Sequence, residues 1–190
     1  MRGGIVRAWH FVGTTLRDGR PIPPRGKWLV HTGPVQICRS GLHASLRPCN
    51  ALGYAPGPIL CRVECADLVI RHPDKFVCRR RRIVARIDAT ELLRYYARMQ
   101  AVSIIHLWPE HPPDVVLDYL MIGSEPLRRA AVEWAQGHEP AMQAIPYLAA
   151  AVWTAAATTN VVSAAAWAQV SREAQKAFDD LVYETFGEEA

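Results

Sequence analysis

From Lys75 to Tyr96 the chain reads KFVCRRRRIVARIDATELLRYY, and two hydrophobic periods meet inside that stretch. Up to Ile87, β-branched and aromatic residues mixed with arginine fit an extended strand. At Asp88 the period changes. Asp88 and Glu91 have capping-box spacing, in which each side chain satisfies an orphan N–H at a helix start. The helix is expected to run to about Trp108, where Pro109, Pro112 and Pro113 end it. Leu92, Tyr96, Met99, Val102 and Ile105 or His106 form its apolar stripe, with Arg94 and Arg98 outside. This switch predicts an α+β chain: a small strand-rich N-terminal half, residues 1–87, followed by an α-helical half, residues 88–190.

Upstream, short apolar runs alternate with turn chemistry. Strands are expected at Ile5 to Phe11, Lys27 to His31, Ile59 to Cys65 and Lys75 to Ile87, with one short helix from Pro48 to Ala55. Asp18-Gly19 marks a turn, and Pro21, Pro23 and Pro24 force an extended connection. Downstream, Asp114 opens a short helix closed by Gly123, and Ser124 caps the next, which ends at Gly137. Two further helices are expected, Pro140 to Ala157 and Asn160 to Phe186. Trp167, Val170, Ala174, Phe178 and Leu181 line the last one at helical spacing. Trp134, Trp153 and Trp167 each sit among alanines, which hints at a degenerate helical repeat.

The 190 residues suffice for a real core, and half are hydrophobic. No stretch reaches the roughly 18 uninterrupted apolar residues of a membrane span, so no membrane insertion is expected. Five cysteines and no secretory leader pattern point to a reducing cytoplasm. The net charge of +4 is unevenly spread: residues 1–98 hold 18 Lys/Arg against 6 Asp/Glu, the remainder 4 against 12. The basic half suits a polyanionic partner, or the two halves attract each other or a second copy.

The common catalytic signatures are missing: no phosphate-binding P-loop, no dinucleotide fingerprint, no nucleophile elbow, no C-x-x-C. Cys38, His43, Cys49, Cys61, Cys65, His72 and Cys78 supply soft ligands for zinc. However, Cys61 and Cys65 on one strand would stand about 13 Å apart, so no metal is expected and buried cysteines as small core residues are preferred. On a strand, Arg79 and Arg81 face one way and Arg80 and Arg82 the other, with Arg86 extending the row. Such a strand is either a ligand wall for phosphates or an edge protected by charge.

The blocks Trp9-His10-Phe11, Gly41-Leu42-His43-Ala44-Ser45 and Tyr54-Ala55-Pro56-Gly57 resemble a family of uncharacterised phage and prophage proteins with an alanine- and tryptophan-rich helical tail. Their order is also similar to the NAD-binding core of ADP-ribosyltransferases. That resemblance implies NAD as a cofactor, His10 at the nicotinamide-side ribose, His43 or Tyr54 near the nicotinamide ring, and the arginine row at the pyrophosphate. It also implies a late catalytic glutamate, for which Glu64 and Glu91 are the nearby acidic candidates.

Three functional classes follow. The first is a phage-type accessory protein in the host cytoplasm, binding a phosphate-bearing or acidic partner: a nucleic acid, a nucleotide or a host protein. The second is an NAD- or nucleotide-dependent enzyme. The third is a homo-oligomer assembled through the C-terminal helices. Candidate ligand-binding residues are His10, His43, Tyr54, Arg79, Arg80, Arg81, Arg82 and Arg86.

Overall fold

A computed structural model describes residues 4–143, 145 and 153–188. The fold is α+β. The chain divides into two compact units, one of residues 1–89 with 176–190, the other of residues 90–175. The first is discontinuous in sequence, and its composition is 17 Lys/Arg against 10 Asp/Glu.

Its strands are β1 (Val6–Val12), β2 (Leu29–Val30), β3 (Leu42–Ala44), β4 (Ile59–Arg71) and β5 (Phe76–Asp88), with helix α1 (Pro48–Leu52) between β3 and β4. All pairings are antiparallel. β1 pairs β4, and β4 pairs β5. The other edge of β5 is shared by β2 and β3. Ser45, just past β3, exchanges two backbone bonds with Trp9 of β1, at 2.8 and 3.0 Å. The sheet thereby curls back on its own first strand, the geometry that removes open edges.

One apolar cluster contains Ala8, Val12, Ala44, Cys61, Val63, Cys65, Phe76, Cys78 and Ile83. Residues directly opposite in an antiparallel pair share a face. His10 opposite Cys61, and Arg81 opposite Cys65, therefore lie on the face that carries this cluster. Trp9, the neighbour of His10, points to the other face and is fully buried. Tyr183 and Phe186 of the C-terminal helix (Arg172–Phe186) meet it edge-on, with ring centroids 5.7 and 4.9 Å away.

β4 continues to Arg71, past the expected end at Cys65. Asp67 adopts a left-handed conformation (φ 56°), and this kink interrupts the side-chain alternation without ending the pairing. The sequence offers no strand signal at Leu42–Ala44, and β3 exists because β5 and β1 each bind it through backbone groups.

The second unit contains α2 (Thr90–Ser103), a 3-10 turn Ile105–Leu107, α3 (Asp114–Ile122), α4 (Glu125–Gly137), α5 (Glu139–Gln143) and a helix Val161–Trp167. The stripe expected on α2 is rotated. Leu93, Tyr96, Ala97 and Ala101 are buried, and so is Arg98. The Arg98 guanidinium donates to the Leu120 carbonyl at 2.7 Å, satisfying an orphan acceptor at the end of α3. Residues 153–157 are helical, and the rest of the expected helix from Pro140 lies mostly outside the described residues.

The single helix expected from Asn160 to Phe186 is two, interrupted at 168–171, where the Ser171 hydroxyl accepts the Ala174 N–H at 3.0 Å. Trp167 is consequently exposed rather than part of a buried stripe. Nor does a tryptophan repeat form. Trp134 and Trp153 both contact Trp108, at 6.5 and 6.4 Å. No described helix is long and apolar enough to cross a membrane.

Candidate functional site

The four consecutive arginines of β5 take three different roles. Arg79 donates to the carbonyls of His31 and Gly33, at 3.4 and 3.0 Å, and pins the loop after β2. Arg80 and Arg82 both lie over the Trp28 ring, at 4.7 and 4.8 Å. Arg82 also pairs with Glu64 at 2.6 Å, and Arg80 reaches Asp67 at 3.9 Å. Arg86 is exposed opposite Cys61. Arg81 alone turns into the apolar cluster and is only 6% exposed.

A buried guanidinium ordinarily has a carboxylate partner, because an uncompensated charge in low dielectric is costly. Arg81 has none among the described residues. It donates one N–H to the His43 carbonyl, and its nearest potential anions are the thiols of Cys65, Cys78 and Cys61. Burial pushes the Arg81 pKa down, with those thiols opposing. The Cys78 thiol donates to the Leu42 carbonyl at 3.3 Å and neighbours that of Cys65 across β4 and β5. Their contact lowers the Cys78 pKa, with help from Arg81 and against burial, and together with burial it raises that of Cys65, against Arg81.

His10 completes this interior group. Burial holds its pKa well below the ordinary 6.5, and the neighbouring charges of Arg81 and His43 push the same way. Its imidazole has no hydrogen-bond partner among the described residues. His43 is fixed by two contacts: Nε2 accepts the Cys38 N–H at 3.0 Å, and Nδ1 donates to the Gly41 carbonyl at 3.2 Å. This sets the neutral tautomer, with the proton on Nδ1. Gly41 is needed where it stands, since φ is +110° and a Cβ would collide with Val77. The His43 pKa is lowered by burial and by Arg81, Lys75 and Arg17, with the Gly41 bond opposing.

Around His43 lies a second layer. Lys75, 8% exposed, holds its ammonium 3.8 Å over the Tyr54 ring. Tyr54 donates its hydroxyl to Asp74, which also binds His72 Nδ1 at 2.5 Å. Burial disfavours the Lys75 ammonium, yet contacts with Tyr54 and Cys38 outweigh it and raise the pKa. Arg17 donates to the Cys38 carbonyl at 3.2 Å. His10, His43 and Tyr54 thus belong to one chain of neighbours, linked through Arg81, Cys38 and Lys75. Arg17, Lys75 and Cys38 were not foreseen as members, since each is delivered by a turn whose path no local pattern specifies. Among the described residues, no three His, Cys, Asp or Glu side chains converge as a metal site would require.

The model of a family described as a domain of unknown function, DUF7666, matches residues 6–95. The DUF7666 match spans all five strands, α1 and every residue of the cluster just described. It stops short of the C-terminal helix that covers Trp9. No curated protein and no solved structure matches the chain.

The two histidines give this site a pH signature. Both have folded-state pKa values below the ordinary 6.5, so between the folded value and 6.5 the unfolded chain binds more protons. Their contribution to stability is therefore complete above about pH 6.5 and declines as the pH falls below it. Urea midpoints measured from about pH 7.5 to about pH 5.5 should fall steadily below 6.5, and His10→Phe should flatten that decline. A flat profile in the parent protein would show that neither histidine is held neutral.

Proposed function

We propose that the N-terminal unit is a binding module for a phosphate-bearing ligand such as a nucleotide, received by Arg81, His10 and His43, with Lys75 and Arg17 at the margin. The observation that carries this reading is the buried Arg81 guanidinium, which has no carboxylate partner among the described residues and stands beside two histidines held neutral. An anion entering there would supply the missing counter-charge, and guanidinium forks bind phosphate oxygens with two parallel bonds. The unit's excess of basic residues would draw such a ligand in. On this reading Arg80 and Arg82 are stacking and ion-pairing residues rather than the primary phosphate contacts. The resemblance to phage proteins suggests placing this binding in an accessory role toward a host component.

An NAD-dependent transferase has less support. Its carboxylate candidate Glu64 is bound to Arg82, opposite Arg7 on β1, which faces away from His10. Assembly through the C-terminal helix is also less favoured, because Tyr183 and Phe186 already contact Trp9 of their own chain.

The test is an NMR titration of the histidine ring protons with pyrophosphate, ADP and NAD at low and moderate salt. Phosphate binding should raise the apparent pKa of His10 and His43, and should raise the melting midpoint by mass action. His10→Gln should weaken the binding about tenfold, the loss of one charge-assisted hydrogen bond. Histidine resonances that ignore all three ligands at millimolar concentration would overturn the reading.

A further inference from the structure

We infer that the corner between α3 and α4 is a binding site for a phosphate dianion, free or as a monoester, held by Arg94, Arg98 and Arg129 at the open end of α4. The second unit is acidic in composition, with 5 Lys/Arg against 8 Asp/Glu. Four of those five cations nevertheless gather at this corner. Three are on the Glu125 carboxylate: Arg128 through two bonds of 2.8 Å, Arg129 at 3.1 Å and Arg94 at 3.9 Å. The fourth, Arg98, has its guanidinium in the space that a side chain at Gly123 would take, one residue before the N-cap of α4.

Arg98 is only 9% exposed and has no carboxylate partner among the described residues. It donates one N–H to the Leu120 carbonyl, and its Nε–H is buried with no acceptor. A buried guanidinium with an unmet donor is costly until an anion stands beside it. The end of α4 adds uncharged donors. Ser124 holds the N-cap position, yet its hydroxyl makes no capping bond. Pro126 has no N–H, and the Arg128 N–H is donated to the Ser124 carbonyl at 2.9 Å. The N–H groups of Glu125 and Leu127 are left without an acceptor among the described residues. Open donors at the positive end of a helix dipole bind oxoanions.

Charge balance selects the ligand. Four guanidinium groups against the one carboxylate of Glu125 leave a formal excess of three positive charges. Arg128 already occupies both oxygens of that carboxylate. A phosphate dianion removes two of the three excess charges and offers several acceptor oxygens to Arg94, Arg98 and Arg129, which a second monocarboxylate does not. Tyr95, exposed and 5.9 Å from the Arg98 guanidinium, gives an aromatic substituent of a monoester a surface to stack on. None of these residues belongs to the group around Arg81, so this site stands or falls separately from ligand binding there.

The experiment follows the backbone amide resonances of the native full-length chain during titration with inorganic phosphate, phenyl phosphate and acetate. The Glu125 and Leu127 amides are expected to shift and saturate with both phosphates, and acetate should bind about tenfold more weakly or worse. Tighter binding of phenyl phosphate identifies an aromatic monoester as the ligand, and equal binding identifies free phosphate. Arg129→Gln, at an exposed side chain, should weaken phosphate binding about threefold to tenfold. Glu125→Gln, read at the Leu127 amide, should tighten it by about the same factor, because the competing carboxylate charge is gone. Phosphate that moves the His10 and His43 rings while the Glu125 and Leu127 amides stay still would overturn the inference and leave binding at Arg81 standing. Acetate that binds as tightly as phosphate, parent affinity in Arg129→Gln, or weakened binding in Glu125→Gln would overturn it as well.

Discussion

Trp9→Ala is expected to lower stability by about 3–5 kcal/mol, the range for truncating a fully buried large aromatic residue. Trp9 has no exposed surface, and its rings meet Tyr183 and Phe186 edge-on. The Arg62 guanidinium also lies 4.5 Å from the ring and is held there by Glu188 through contacts of 2.8 and 2.5 Å. Alanine would remove the surface against which the C-terminal helix closes and leave a cavity beneath it. At about 2–4 °C per kcal/mol for a chain of this size, the melting midpoint should fall by about 6–20 °C. Thermal unfolding followed by near-ultraviolet circular dichroism tests this directly. A fall below about 3 °C would mean that the helix does not depend on Trp9 for its seat.

Asp179→Ala should be nearly as damaging, for an electrostatic reason. The Asp179 carboxylate is only 5% exposed. It accepts the Cys49 N–H and the Arg47 Nε–H, each at 2.7 Å. Cys49 is in the first turn of α1, where backbone donors have no partner within the helix. Arg47 has no side-chain cap bond there, so a carboxylate from 130 residues later does the capping. Removing it leaves a buried N–H unsatisfied and an arginine unpaired, a loss of about 2–4 kcal/mol. Asp179→Asn keeps the acceptor oxygen and loses the charge, so it should recover about half of that loss. Equal midpoints for the two variants would show that the charge, not the cap, is what matters.

Strand periodicity disclosed much of this fold. β1, β4 and β5 are legible because Val6 to Val12, Ile59 to Cys65 and Phe76 to Ile87 are rich in β-branched and aromatic residues. β3 is three residues long, too short for any period, and its pairing partners are distant in sequence. The division of the last expected helix was signalled weakly by Ser171 followed by Glu173, a start signal outweighed by the apolar spacing that runs through Trp167 and Val170. For the candidate site, alternation along the arginine row correctly grouped Arg80 with Arg82, both over Trp28, apart from Arg81 in the apolar cluster. Which member would be buried was not legible, because that depends on the curl of the sheet and on the kink at Asp67. Lys75, Arg17 and Cys38 were hidden for a related reason: turns bring them together, and turn sequences encode local angles rather than distant neighbours.

The family match ends at residue 95, yet the unit it describes takes in residues 176–190. During synthesis, the strands leave the ribosome first and residues 90–175 must follow before the covering helix exists. At about 5–20 residues per second, that interval is roughly 5 to 20 s. For its duration the Trp9 face of the sheet is uncovered and open to self-association or to capture by a chaperone. The nascent N-terminal segment therefore waits for residues 176–190, and its final folding is timed by their synthesis rather than by its own sequence.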